Sequence, residues 1–203
     1  MKQTILDMIE KLGGNIKNVK GNSLQEDLLS ITFDTVLYAD LYDDFEICKL
    51  EEFFSENKDL YLSDKDAFVS KMLDEYFCIT EDGLGQKFWK AVLFTPFREG
   101  TEDFKEWGSM FTDDDMVDLA EIRKATNDSS PDLILLFESY GFPDHYYLCL
   151  SDPQPENPTV FGTDHEVFFS EISNEGNLED FLRKFITKDK FVEIALGNIA
   201  EFA

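Results

Sequence analysis

Residues 131–185 read PDLILLFESYGFPDHYYLCLSDPQPENPTVFGTDHEVFFSEISNEGNLEDFLRKF, and this stretch decides the fold. Leu133 to Phe137 is an apolar run too short for a helix and bounded by turn residues, which predicts a buried strand. Gly141-Phe142-Pro143-Asp144 is a turn signal, and Tyr146 to Leu150 is a second apolar run. So short a link cannot make a parallel crossover, so the two strands are expected to pair antiparallel. Pro153, Pro155 and Pro158 mark an exposed loop. Val160-Phe161 and Val167 to Phe169 then read as further strands of a meander. Asn177 is a helix cap, followed by Leu178, Phe181, Leu182, Phe185 and Ile186 on one helical face.

Upstream, Ile5, Met8, Ile9 and Leu12 recur at helical spacing over residues 3–12, and Gly13-Gly14 ends the run. Leu29, Ile31 and Phe33 alternate with polar residues, which predicts a half-buried strand reaching towards Tyr38. A helix is expected through Leu50, Phe53 and Phe54. Ser63-Asp64-Lys65-Asp66 resembles a capping box, opening a helix that buries Phe68, Val69, Met72, Leu73 and Tyr76 and stops near Phe77. Residues 82–85 read as a turn and 88–94 as a strand ended at Pro96. Residues 98–109 fit a loop or a short helix. Thr112 followed by Asp113, Asp114 and Asp115 predicts a helix start, with Thr112 as cap and three carboxylates in the first turn. A last helix from about Asp189 turns Phe191, Ile194, Ala195 and Ile199 inward. The fold class is α+β, a mostly antiparallel sheet with a C-terminal meander flanked by helices. No repeat or linker divides residues 1–203, so one domain is expected.

The chain has 43 Asp and Glu against 18 Lys and Arg, a net charge of −25. That argues against a nucleic-acid partner, which needs phosphate-neutralising cations, and against an anionic membrane surface. A basic protein is the natural electrostatic partner. Cys48, Cys78 and Cys149 are widely spaced in apolar contexts, as expected of buried reduced thiols in a cytoplasmic protein. The amphipathic N-terminus, with acids inside it, does not read as a secretory signal.

Few residues invite chemistry. Both histidines follow an aspartate, at Asp144-His145 and Asp164-His165. The four groups would suit a metal if the strands between them paired suitably, but neighbours on a strand point to opposite faces. Turn and strand-edge residues are the expected reading, with no metal and no cofactor. Cys149 with His145 as base is a weak nucleophile candidate, because the thiol lies in an apolar run. There is no glycine-rich phosphate loop and no nucleophile elbow. An enzyme is not expected. Partner contacts are instead assigned to the acidic groups Asp43, Asp44 and Glu46, to Asp113, Asp114 and Asp115, and to Trp107 set among acids.

The order of strand, turn, Tyr-rich strand, loop, TVFGTDHE and NLEDFLRKF, introduced by LAEIRKATN at residues 119–127, resembles the end of domains in the SUKH superfamily. That superfamily includes a fungal regulator of cell-wall glucan synthesis and many bacterial immunity proteins. The likeness covers about residues 119–185, and more faintly the helix from Ser63 to Phe77. Family members often open that helix with Leu-Pro, where Leu62-Ser63 stands here. The resemblance implies an α+β domain without catalytic residues that binds another protein, in bacteria often a nuclease toxin. The expectation is therefore an immunity protein that neutralises a basic toxin. A general regulatory module of the same superfamily, a metal enzyme using the Asp-His pairs, and an acidic nucleic-acid mimic are the alternatives.

Overall fold

The computed structural model describes residues 1–39, 47–79, 86–113, 116–139 and 144–202. Asp43, Asp44, Glu46, Asp114 and Asp115, and the turns expected at 82–85 and 141–143, lie outside the described residues. The elements in chain order are α1 (Gln3–Lys11), α2 (Leu24–Ser30), β1 (Leu37–Ala39), α3 (Leu50–Glu56), α4 (Lys58–Ser63) and α5 (Lys65–Tyr76). Then come β2 (Gln86–Phe94), α6 (Glu102–Phe111), α7 (Ala120–Thr126), β3 (Leu133–Ser139), β4 (His145–Cys149) and β5 (Thr159–Thr163). The chain closes with β6 (Ser173–Asn177), α8 (Leu178–Leu182), β7 (Phe185–Ile186) and α9 (Lys188–Phe202).

All the strand pairs are antiparallel, and the order across the sheet is β6-β5-β4-β3-β2-β1-β7. The α+β class is therefore as the sequence predicts. The meander is longer than expected, starting at β2. β1 and β7 extend the sheet beyond it.

The period-two alternation of the strands supplies two apolar faces. Ile134, Leu136, Tyr146, Leu148 and Val160 face α1, α2 and α8. Leu133, Tyr147, Cys149 and Phe161 face the other way, towards Phe111, Val117, Leu119 and Ile122. A third cluster gathers Phe53, Phe54, Phe68, Met72, Phe191, Ala195 and Ile199 from α3, α5 and α9 over Tyr38 and Ile186. Burying the sheet on both faces explains why its central strands are apolar runs with little polar alternation.

Several local expectations are overturned. Residues 24–30 are helix, because Ser23 accepts from the Glu26 N–H and the turn so capped buries Leu24, Asp27 and Leu28. Only Thr32 bridges to Asn15, so the strand expected over 29–38 shrinks to β1. Gly14 explains the tight join there: a Cβ on it would meet Ile9 Cγ2 at 2.5 Å and the Phe33 ring at 2.7 Å.

The cap of α5 is Asp64, which accepts from the Ala67 N–H at 3.0 Å, one residue later than expected. Ser63 ends α4 and donates to the Asp59 carbonyl. Residues 102–111 form a full helix, capped by Thr101, which accepts from Phe104 N–H. Thr112 closes that helix instead of opening the next; its hydroxyl donates back to the Gly108 and Ser109 carbonyls. Val167 to Phe169 are turn, not strand, and the last meander strand is the polar Ser173–Asn177. Helix α8 stops at Leu182, so Phe185 and Ile186 pair with β1 instead of extending its apolar face. Cys149 is buried, but Cys48 and Cys78 are exposed, because they sit in turns beside α3 and α5 and not in strands.

Candidate functional site

The antiparallel register of β4 and β5 places His145 opposite Thr163. Asp144, just before β4, and Asp164, just after β5, therefore emerge side by side. Asp144 is buried. Its Oδ1 accepts the His165 backbone N–H at 2.8 Å, and its Oδ2 is hydrogen-bonded to His165 Nδ1. Asp164 Oδ1 accepts the Glu166 N–H at 2.6 Å and lies 3.6 Å from His165 Nδ1. One donor atom from each of Asp144, Asp164 and His165 falls within 4.8 Å of the others.

On the other side of the same carboxylate, His145 Nδ1 is 3.7 Å from Asp144 Oδ1. That nitrogen is buried and has no hydrogen-bond partner. The hydrogen bond to Asp144, and the charge of that carboxylate, raise the pKa of His165 above its ordinary 6.5. As the spacing predicts, these residues lie at a strand end and in a turn. The turn is what lets adjacent Asp164 and His165 point at the same place, which a strand would forbid.

Beside this cluster opens a cleft of about 780 Å³. Its apolar lining comes from Phe94, Leu135 and Tyr147 on the sheet, Trp107 and Met110 on α6, and Met116, Val167 and Phe168 from loops. His145, His165, Glu166 and Ser170 complete its wall. Trp107 is half-buried, its ring 4.9 Å from that of Phe168.

The loop that carries Phe168 is held in an unusual backbone state. Phe168 and Phe169 have φ of 22° and 46°, a region that bulky side chains seldom occupy. Surrounding bonds hold it there: Phe169 N–H donates to Thr163 Oγ1 at 3.0 Å, and the Thr163 hydroxyl donates to the Glu171 carbonyl at 2.9 Å. Asp118 N–H donates to the Phe169 carbonyl at 2.8 Å. Residues in such conformations cluster at binding sites, and the constraint here sets Phe168 against Trp107. Thr163→Val keeps the shape and removes both hydroxyl bonds, one of them to a buried N–H. It is expected to cost about 1–3 kcal/mol in urea unfolding and to broaden near-UV signals from Trp107.

Of the residues assigned to a partner, Trp107 thus lines the cleft. Asp113 is exposed just past α6, and Met116 N–H donates to its carbonyl at 2.9 Å, so it sits between two cleft methionines in sequence. Met110, Met116 and Phe168 line the cleft but are not among the partner residues the sequence suggests. Apolar character was their only signal, and in Phe168 it reads as a strand. The Cys149–His145 dyad is excluded by geometry, since four residues along a strand separate them by roughly 13 Å. Burial also pushes the Cys149 thiol pKa up.

No described helix is long and apolar enough to cross a membrane. Scans against protein-family models, curated proteins and solved structures each return no match for this chain.

Proposed function

We propose that this chain is a non-catalytic protein-binding domain whose partner is a basic protein, and that it acts as an immunity protein against a toxin. The observation that carries the binding reading is the cleft itself: an open pocket lined by Trp, Phe and Met on a chain of net charge −25. Trp, Phe and Met are enriched where proteins bind one another, and methionine adapts to varied apolar shapes. Met116 is 47% exposed, so the cleft presents apolar surface directly to an incoming side chain.

The acidic surface would steer a cationic partner and lose strength as salt screens it. A nuclease toxin suits this description, because a protein that attracts nucleic acid carries a basic face. The toxin class itself rests on the resemblance of residues 119–185 to SUKH immunity domains.

The test is functional rescue. A basic protein encoded beside this gene should be toxic when expressed alone and harmless when this chain is co-expressed. Trp107→Ala is expected to weaken the complex by 2 kcal/mol or more, about 30-fold, and to abolish rescue, while raising salt from 0.1 to 0.5 M weakens both proteins' complexes. Binding that ignores Trp107 and follows only partner charge would support an acidic mimic instead. A non-toxic neighbour that still binds through Trp107 would support a general interaction module.

A further inference from the structure

We propose that Asp144, Asp164 and His165 bind a divalent transition-metal ion of the zinc class at the polar rim of the cleft. The donor set is one imidazole nitrogen and two carboxylate oxygens. The imidazole favours zinc-like ions over calcium or magnesium, which take oxygen shells. Zinc binds such atoms at about 2.0–2.2 Å, with ligand atoms roughly 3.3 Å apart in a tetrahedron. The donors already lie within 4.8 Å of one another. The pair that must open is Asp144 and His165, and the His165 side chain is 66% exposed, so it is free to swing outward.

The carboxylates are also held as ligands usually are. Asp144 is fixed by the His165 backbone N–H, and Asp164 by that of Glu166. An independent observation points the same way. His145 Nδ1 is a buried polar atom with no hydrogen-bond partner, 3.7 Å from the Asp144 carboxylate. Buried polar atoms are seldom left unpaired, and this one faces the carboxylate that would hold the ion. Both imidazoles belong to the cleft wall, so an ion there would face whatever enters the pocket. The inference stands whether or not a toxin is the partner.

The experiment uses the full chain carrying Cys48→Ser and Cys78→Ser, because those exposed thiols could bind zinc on their own. After chelator treatment and dialysis, zinc is titrated calorimetrically, and cobalt is added as a visible probe. One equivalent should bind, the melting temperature should rise, and cobalt should give a visible band of a nitrogen- and oxygen-ligated centre. His165→Gln, at an exposed position, and Asp164→Asn, which keeps the shape of a partly buried side chain, should each weaken zinc binding at least tenfold. Asp59→Asn on α4 should change nothing. Absence of saturable binding overturns the proposal. So does zinc affinity that is the same in His165→Gln as in the parent, which would mean diffuse attraction to an acidic surface.

Discussion

Phe137→Ala is expected to lower the unfolding free energy by about 3–5 kcal/mol. Phe137 is fully buried on β3, opposite Trp89 on one side and Tyr146 on the other. Its ring lies 5.2 Å from Trp89, 5.7 Å from Phe181 and 5.1 Å from Phe185, so it joins the sheet to α8 and to the β7 segment. Removing it leaves a cavity bounded by rings that cannot all move in to fill it. Aromatic pairs add their own increments, about 0.5–1.5 kcal/mol each beyond area burial. Urea unfolding followed by far-UV circular dichroism measures the loss. Met116→Ala is the contrast, since an exposed side chain is expected to change stability by less than about 0.5 kcal/mol. A loss under 1 kcal/mol for Phe137→Ala would mean that the three-way aromatic contact is not formed.

The second large effect is a pH dependence. Lys87, on β2, is only 6% exposed. Its ammonium donates to Ser139 Oγ at 3.2 Å and Tyr146 Oη at 3.0 Å, and it stands 4.7 Å from the Tyr146 ring centre. Burial lowers its pKa from 10.5 to about 8, against the opposing pull of Glu175 and Asp144. Between about pH 8 and 10.5 the unfolded chain therefore holds a proton that the folded chain has released. Stability rises with pH wherever the unfolded state binds more protons, so Lys87 makes the fold more stable as pH climbs through that window.

The difference in unfolding free energy between wild type and Lys87→Met should shift by roughly 3 kcal/mol between pH 7 and 10.5, in favour of wild type at the alkaline end. Tyr38 acts in the opposite sense. Burial pushes its pKa up to about 12, so its unfolded form loses a proton first and stability falls above about pH 10. Chemical denaturation at several pH values checks both limbs. Parallel curves for the two proteins would refute the Lys87 assignment.

How much of this was legible depended on whether local period and tertiary pairing agreed. In β3 and β4 they did, because a strand buried on both faces is an unbroken apolar run and nothing else of that length fits between turns. α1 and α9 were equally plain. At Leu29, Ile31 and Phe33 the alternation is real but accidental. The capped turn from Ser23 buries Leu24 and Leu28, and that gain prevails over a strand with no adjacent partner.

Phe185 and Ile186 continue the helical spacing of α8, so nothing local shows that β1 recruits them. The site was half visible. The Asp-His dipeptides stood out, but whether they meet depends on the register of His145 against Thr163, which no single strand encodes. Phe168 and Phe169 looked like strand because composition cannot reveal a backbone forced to positive φ.

The margins of the sheet have a consequence for how this chain meets other molecules. One margin is β6, whose sequence SNEGN carries no apolar side chain and contains Gly176 at φ 91°. The other is β7, only two residues long. Long, flat, apolar margins invite another chain to add a strand, whereas short or polar ones discourage it. Both margins are thus poor templates for an incoming backbone. Strand addition at either margin is therefore disfavoured, both for a foreign backbone and for a second copy of this chain.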